Sequence, residues 1–466
     1  MPNLSLTDIG GGKSNGLMFR MAGSTSALLV DCGRTASEQD FRSGVLPFPD
    51  PGILGVISEA NIYARIKPYL GRTGITAIRH YISHCHLDHS GSDRVLRYLA
   101  RELGYETWSS LFTAEVMGTR DYYDVDELFE VHYYEGEVPS EFGEFRITPH
   151  QVCHSTACAF ILEIETPMGV IISMMDFTFQ RYDDKQVVYT ERLLGGLGQK
   201  KPLAVIVESI YADRPGETLT PQETVVTEAY HGILAEAEAR GRRVIATFFG
   251  SNVNRTSELL CLAHDMGQKR TRLLGAPRQY YEDAKAAGGL GLGALERKLN
   301  IDASLEEADF LIASGCQAEP GSVLDRAVNA DRILSSSRGS YLALGEEDTV
   351  VMSAIPIPIP GQEDRVLNLV EKILEQGAEV VVPTEWRELY RHRVLQYPRL
   401  RFDRVHVSGH ESWYGLKRTL EELVKPKYVI PYHGEQWQRE RLAQKVVQEL
   451  PGIGVLMLNE GATITL

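Results

Sequence analysis

Short apolar runs broken by glycine open the chain. Leu17–Met21 and Ser26–Val30 predict two strands of a hairpin. A loop rich in Gly and Pro (Gly44–Gly52) precedes an expected helix near Glu59–Lys67. Ala77–Ile82 favours a strand, and Asp93–Gly104, with apolar residues three and four apart, predicts an amphipathic helix. Tyr105–Val131 is mixed and acidic and shows no clear period. Ala157–Ile164 and Val170–Met174 predict a second hairpin about the turn Pro167-Met-Gly169, and Leu203–Val207 reads as a buried strand. From Thr220 to about Pro383 strands alternate with helices: Thr224–Arg240, Val244–Phe249, Thr256–Gly267, Thr271–Gly275, Phe310–Ser314, Thr349–Ile355, Glu363–Gln376 and Ala378–Val382. That alternation predicts a second α/β domain with a parallel sheet, interrupted by a glycine-rich connector at Gly288–Gly293. The tail, Val455–Leu466, predicts a closing strand pair.

A chain of 466 residues, 43% of them hydrophobic, can bury a sizeable core and more than one domain. No apolar run approaches the roughly 18 residues that span a bilayer, and no basic start followed by an apolar core marks a secretory signal. The six cysteines form no Cys-x-x-Cys pair, which suits reduced thiols and a cytoplasmic location. The net charge of −15 argues against a generic nucleic-acid-binding surface. It leaves room for a local basic channel, because bound metal ions add positive charge that the sequence omits.

The chemistry concentrates after the Ala77–Ile82 strand, in Ser83-His84-Cys-His86-Leu-Asp88-His89-Ser. Three histidines and an aspartate within six positions form a metal-ligand set rather than a solvated polar loop. On extended backbone His84 and His86 can face one ion, while Asp88 and His89, further round the turn, can face a second. Asp31, at the end of its strand, could orient a ligand histidine or simply form a turn before Gly33. His154 precedes a strong strand, with His150 as a local competitor whose plain reading is a solvent-facing loop residue. Cys85 and Cys153, beside these histidines, read as small buried fillers. Gly10–Gly16 lacks the spacing of a phosphate loop and reads as a turn. Ser251, Asn252, Asn254 and Arg255 stand where a strand opens into a helix. That corner suits phosphate, although Ser and Asn serve equally as plain helix caps. His406 alternates with apolar residues and reads as a surface strand residue.

His-x-His-x-Asp-His resembles the metallo-β-lactamase superfamily. Glu208-Ser, His410 and His433 resemble the further motifs of its β-CASP branch, which processes nucleic acids. Within that branch the chain most resembles the ribonuclease J family, through Ala-Thr-Phe-Phe-Gly-Ser-Asn-Val-Asn-Arg, Ser-Gly-Cys-Gln-Ala-Glu-Pro, Pro-Ile-Pro-Gly-Gln-Glu, Val-His-Val-Ser-Gly-His and Val-Lys-Pro-Lys-Tyr-Val-Ile-Pro-Tyr-His-Gly-Glu. The resemblance implies an α/β fold: a metallo-β-lactamase αββα sandwich from residues 1–210 and 386–466, with a β-CASP α/β domain, 211–385, inserted. It implies the short form without the separate C-terminal domain. His84, His86 and His154 would hold one ion, Asp88, His89 and His433 the other, and Asp176 would be shared. Zinc is the implied metal, with manganese as the alternative.

The resemblance also implies RNA cleavage by a hydroxide activated between two metals, as endonuclease and as 5′-to-3′ exonuclease preferring a 5′-monophosphate. Asp88, Asp176, Glu208 and His410 would carry catalysis, with His410 contacting the scissile phosphate or protonating the leaving group. Ser251, Asn252, Asn254, Arg255, Ser353, Gly409, His410 and Ser412 would hold phosphates. Single-stranded RNA is the implied partner, a homodimer is left open, and no membrane is involved. The chain departs from the family at Cys85, Leu87 and Met175, and at Glu411, an acid expected close to where RNA passes. The rival readings are a β-CASP nuclease acting on DNA, a small-molecule metallo-hydrolase such as a lactonase or thioesterase, and a non-catalytic RNA-binding subunit.

Overall fold

A computed structural model describes residues 3–9, 15–33, 74–93, 96–97, 103–121, 131–133, 137–179, 184–212, 219–268, 270–288, 301–329, 342–357, 361–389, 397–459 and 461–466. The expected loop at Gly44–Gly52 and helix at Glu59–Lys67 lie outside them. So does nearly all of the Gly288–Gly293 connector. The described chain forms two compact units. The first runs to Thr220 and resumes at Ser408–Leu466; the second is Pro221–Val407.

The first unit holds two seven-stranded mixed sheets. One contains β1 (Leu4–Asp8), β2 (Leu17–Met21), β3 (Ser26–Val30), β4 (Ala77–Tyr81), β5 (Gly104–Ser109) and β6 (Val131–Tyr133), with β20 (Thr463–Thr465) against β1. The other contains β7 (Ser140–Phe142), β8 (Phe145–Val152), β9 (Ala159–Thr166), β10 (Gly169–Met174), β11 (Ala204–Glu208), β18 (Tyr428–Tyr432) and β19 (Gly454–Val455). Strand side chains alternate between faces. Leu6, Phe19 and Leu28 from the first sheet meet Ile147, Leu162, Ile206 and Ile430 from the second in one buried core. The outer face of the second sheet is covered by Leu194 and Leu197, Leu416 and Leu420, and Leu442 and Val446. These belong to the segments Asp184–Gln199, Trp413–Val424 and Gln436–Glu449. This is the layered metallo-β-lactamase sandwich that the motifs implied.

The second unit is a six-stranded, all-parallel sheet in the order β13-β14-β12-β15-β16-β17. Its strands are β12 (Arg243–Thr247), β13 (Thr271–Leu274), β14 (Phe310–Ala313), β15 (Asp348–Met352), β16 (Glu379–Pro383) and β17 (Leu400–Asp403). Apolar residues cover both faces, as parallel sheets require. β17 extends this sheet beyond Pro383, because Leu400–Asp403 pairs with β16. Two expectations change. The terminal strands do not pair with one another: β19 adds to β18 and β20 to β1, so the tail spans both sheets of the first unit. Tyr105–Val131 contains β5 and a helix, Leu111–Asp121, whose mixed composition concealed them. Among the described residues no helix is long and apolar enough to cross a membrane.

A buried ion network anchors the segment after the metal loop to this scaffold. Asp93 accepts hydrogen bonds from Arg97 Nε (2.6 Å), Tyr105 Oη (3.1 Å) and Thr107 Oγ1 (3.0 Å), and its Oδ1 lies 3.0 Å from His80 Nδ1. Burial pushes the Asp93 carboxyl up. The Arg97 guanidinium and His80 outweigh that and hold it well below the usual carboxylate range. Asp93→Ala removes the carboxylate that pairs with the buried Arg97 and is expected to cost about 3–5 kcal/mol, read as a lower denaturation midpoint at neutral pH. Because the folded-state pKa is depressed, this contribution is present above about pH 4 and fades as pH falls below it. The gap between variant and wild type should therefore narrow in acid.

Candidate metal centre

Strand ends of the first unit deliver the donors. His84 and His86 follow β4, and a single short helix, Leu87–Ser90, turns Asp88 and His89 inward. His154 follows β8, Asp176 follows β10 and His433 follows β18. Two donor groups result, His84, His86, His154 and Asp176, and Asp88, His89 and His433, each with donor atoms within 4.8 Å of one another, and a third grouping of Asp176, His410 and His433 overlaps them. The Asp176 carboxylate lies between them. Its Oδ2 is 3.6 Å from His84 Nε2, 3.4 Å from His154 Nε2 and 3.3 Å from His89 Nε2, and its Oδ1 is 3.3 Å from His433 Nε2. Asp88 Oδ2 stands 3.7 Å from both His89 and His433.

Hydrogen bonds behind the rings set their tautomers. His154 donates from Nδ1 to Gly409 O (2.7 Å) and His89 donates from Nδ1 to Asp31 Oδ2 (2.9 Å). Ser83 gives its hydroxyl proton to Asp31 (2.9 Å), so it accepts from His84 Nδ1 at 3.0 Å. Each ring is thereby left with a lone pair on Nε2, the form a metal requires. Asp31 is thus an orienting carboxylate, not just a turn residue, and it also accepts from Ser83 N at 2.7 Å. Asp31 (φ 53°) and His433 (φ 38°) both hold left-handed backbone, the kind of strain that gathers at functional sites. Gly33 is needed for close approach, since a Cβ there would meet the Asp88 carbonyl carbon at 1.7 Å. Asp31→Asn is expected to weaken metal affinity about 10–100-fold, measured by chelator competition.

The donor set fits divalent ions. His86 Nδ1 lies 2.9 Å from His84 Nε2 and 3.2 Å from His154 Nε2, a convergence of ring nitrogens that a cation between them would relieve. Asp176 Oδ1 is buried yet makes no hydrogen bond among the described residues. Burial pushes the His84 and His154 imidazoles well below their usual range and His433 down to about 3, so these rings are neutral near pH 7. Burial would also raise Asp176, but His433, His89 and His410 hold its carboxyl well below the usual range. Nitrogen and carboxylate donors of this kind suit zinc, and manganese takes the same carboxylates.

Beside these groups His410 Nδ1 is hydrogen-bonded to Glu208 Oε2 and lies 3.9 Å from Asp176 Oδ1. Burial alone would lower the His410 pKa; the Glu208 and Asp176 charges override it and raise it to about 9. Burial raises Glu208 to about 7. The pair lies against the donor cluster.

Comparison with known proteins agrees with this geometry. Residues 241–373 match the family described as "Ribonuclease J, beta-CASP domain". The chain carries a ribonuclease J β-CASP domain. Ribonuclease J of Helicobacter pylori (strain ATCC 700392 / 26695) is 25% identical over 475 aligned positions, covering 98% of this chain and 60% of that protein. The chain thus spans 60% of the length of that relative. Ribonuclease J of Pyrococcus abyssi is 28% identical over 371 positions, 76% of this chain and 73% of its own. A crystal structure of a protein of unknown function from Enterococcus faecalis V583 superposes with TM-score 0.58 at 14% identity, covering 100% of both chains, a likeness of fold.

The ribonuclease J-like chain places the expected phosphate residues unevenly. Gly409, His410 and Ser412 lie in the first unit, with His410 against the donor cluster and Ser412 capping the helix Trp413–Arg418. Ser251, Asn252, Asn254, Arg255 and Ser353 lie in the second. There Asn252 caps the helix Val253–Asp265, accepting from Arg255 N at 3.1 Å. The Arg255 guanidinium is held by a buried, bidentate pair with Glu223 (2.9 and 2.7 Å) and reaches Ser353 O at 3.3 Å. Ser353 Oγ meets Tyr230 Oη at 2.7 Å.

Several local readings change. His150 is a buried β8 residue 3.1 Å from Glu163 Oε2, not a solvent-facing loop histidine. His406 lies outside any strand, with Nδ1 3.1 Å from Ser353 O. Cys85 is buried as expected, while Cys153 is only partly so. Glu411 is fully buried. Asn15 was missed: its Nδ2 lies 2.9 Å from His89 Nε2, and its main chain bonds both Asp88 O and Gly33 N. Within a glycine-rich stretch that reads as a turn, nothing local marks it.

Proposed function

We propose that this protein is a metal-dependent ribonuclease of the ribonuclease J type, cutting single-stranded RNA internally and from the 5′ end with preference for a 5′-monophosphate. The observation that carries this reading is the Asp176 carboxylate shared between two histidine-rich donor groups, with the His410–Glu208 pair beside it, in a chain with a ribonuclease J β-CASP domain.

Two divalent ions held by His84, His86, His154, Asp176, Asp88, His89 and His433 would lower the pKa of an attacking water and neutralise charge on the scissile phosphate. The chain's own residues do the rest. Asp31 and Ser83 hold the His84 and His89 rings in their donor tautomers. Asp176 ties the two groups to a common centre. Glu208 orients His410 through Nδ1, leaving Nε2 to deliver a proton to the departing oxygen. Gly409 O fixes His154 and so couples the His410 loop to the donor cluster. A phosphodiester needs this combination of neutralised charge and protonated leaving group.

The test uses one end-labelled RNA bearing a 5′-monophosphate, 5′-triphosphate or 5′-hydroxyl, beside single-stranded DNA of the same sequence. Wild type is compared with His86→Ala in added zinc or manganese. Mononucleotide release from the monophosphate RNA, absent in the variant, supports the full reading. Internal cuts whatever the 5′ end supports an endonuclease without a 5′ pocket, and preference for DNA reassigns the substrate. If the metal-loaded protein cuts no nucleic acid but hydrolyses esters or thioesters, the nuclease reading fails.

A further inference from the structure

Glu411 occupies the position after His410 and is fully buried, yet no Lys, Arg or His ion-pairs with it among the described residues. A buried carboxylate is costly unless donors surround it. Five hydrogen bonds do so here. Oε2 accepts from Phe179 N (2.9 Å); Oε1 accepts from Thr220 N (2.9 Å), Thr220 Oγ1 (3.1 Å), Ser412 N (2.8 Å) and Ser412 Oγ (3.0 Å). The space is shaped for it as well. A Cβ at Gly415 would meet the Glu411 carboxyl carbon at 2.5 Å, so the following helix presents bare backbone there.

The groups that meet at this carboxylate come from both sides of the donor cluster. Phe179 lies three residues after Asp176. Thr220 Oγ1 also donates to His410 O at 3.1 Å, and Glu411 N donates to Glu208 Oε1 at 3.3 Å while the other Glu208 oxygen holds the His410 ring. His410, Glu208, Glu411 and Thr220 thus form a closed circuit of hydrogen bonds. That circuit fixes the His410 main chain and its ring together, and Phe179 N ties it to the loop that carries Asp176. Thr220 and Ser408 are also the two points at which the first unit hands the chain over and takes it back.

We propose that Glu411 is a positioning residue, which sets the His410 imidazole against the Asp176 carboxylate by clamping the two loops that carry them. It touches neither substrate nor metal. The inference rests on the ribonuclease reading for its kinetic consequence, but its geometric consequence is independent of any substrate.

The experiment compares wild type, Glu411→Ala, Glu411→Gln and Thr220→Val as zinc-loaded, folded proteins. It reads RNA cleavage kinetics, bound zinc, and the downfield imidazole N–H resonance of His410, assigned by its absence from His410→Ala. A displacement of about 1 Å at a reacting group can cost about 10²-fold. Glu411→Ala is therefore expected to lower kcat about 10–100-fold with KM within about twofold and zinc unchanged, and to shift or broaden the His410 resonance. Glu411→Gln, which keeps one acceptor oxygen, recovers part of the loss. If Glu411→Ala does not fold, Thr220→Val carries the test, with a smaller fall in kcat and the same shift. Wild-type kcat and an unmoved resonance in a folded variant overturn the proposal, as does a loss of activity that tracks a loss of zinc. If wild type cleaves no RNA but Glu411→Ala still moves the resonance, the ribonuclease reading fails and the positioning role stands.

Discussion

Asp176→Ala is expected to remove metal binding and hydrolysis together. This carboxylate lies within 3.6 Å of donors in both clusters, His84, His154 and His89 on Oδ2 and His433 on Oδ1. Without it, five imidazoles and Asp88 would have to hold two cations with a single negative charge among them. Bound metal, measured by elemental analysis after desalting, should fall from about two ions per chain to fewer than one. The lost Lewis-acid stabilisation is several kcal/mol, which corresponds to on the order of 10³-fold or more in rate. Excess metal should not restore it, because the missing ligand joins the two positions. Retention of both ions with full turnover would show that the shared carboxylate is not the organising ligand.

His410→Ala should give the opposite pattern, with metal retained and turnover lost. The His410 ring is tied to Glu208, and in the proposed function it delivers a proton to the departing oxygen. General acid catalysis by a positioned side chain contributes about 10²–10⁴-fold, so kcat should fall by that amount with little change in KM. Glu208→Gln should produce a large part of the same loss, since an amide no longer fixes the imidazole tautomer. The double variant should be little worse than either single one, because the pair acts as a unit. An RNA with an activated leaving group separates the roles further. If His410 protonates the departing oxygen, the variant's deficit should shrink on that substrate. A deficit that does not depend on the leaving group would instead assign His410 to phosphate binding.

The candidate donors that the fold gathers were legible because most are announced locally. His84 to His89 crowd one loop, Asp176 and His433 each follow an apolar run that reads as a strand, and His154 precedes one. The parallel sheet of the second unit was legible for the same reason, since its strand and helix periods are strong and regular. Arg255 shows the limit. Its place after a strand suggested phosphate, but its charge is answered by Glu223, which lies 32 positions earlier and carries no mark of that pairing. His150 read as a loop residue, but β8 runs through it to Val152.

The order of residues along this chain therefore determined which chemistry is present: the donor types, the strands that carry them and the two α/β units. Only the tertiary structure decided how that chemistry is arranged. It made Asp31 the carboxylate behind His89, brought Asn15 against the same ring, and buried Glu411 at the junction of two loops. The reason is physical. Ligand identity and strand periodicity are local properties, whereas a hydrogen-bond partner is chosen by which distant backbones the two sheets bring within about 3 Å.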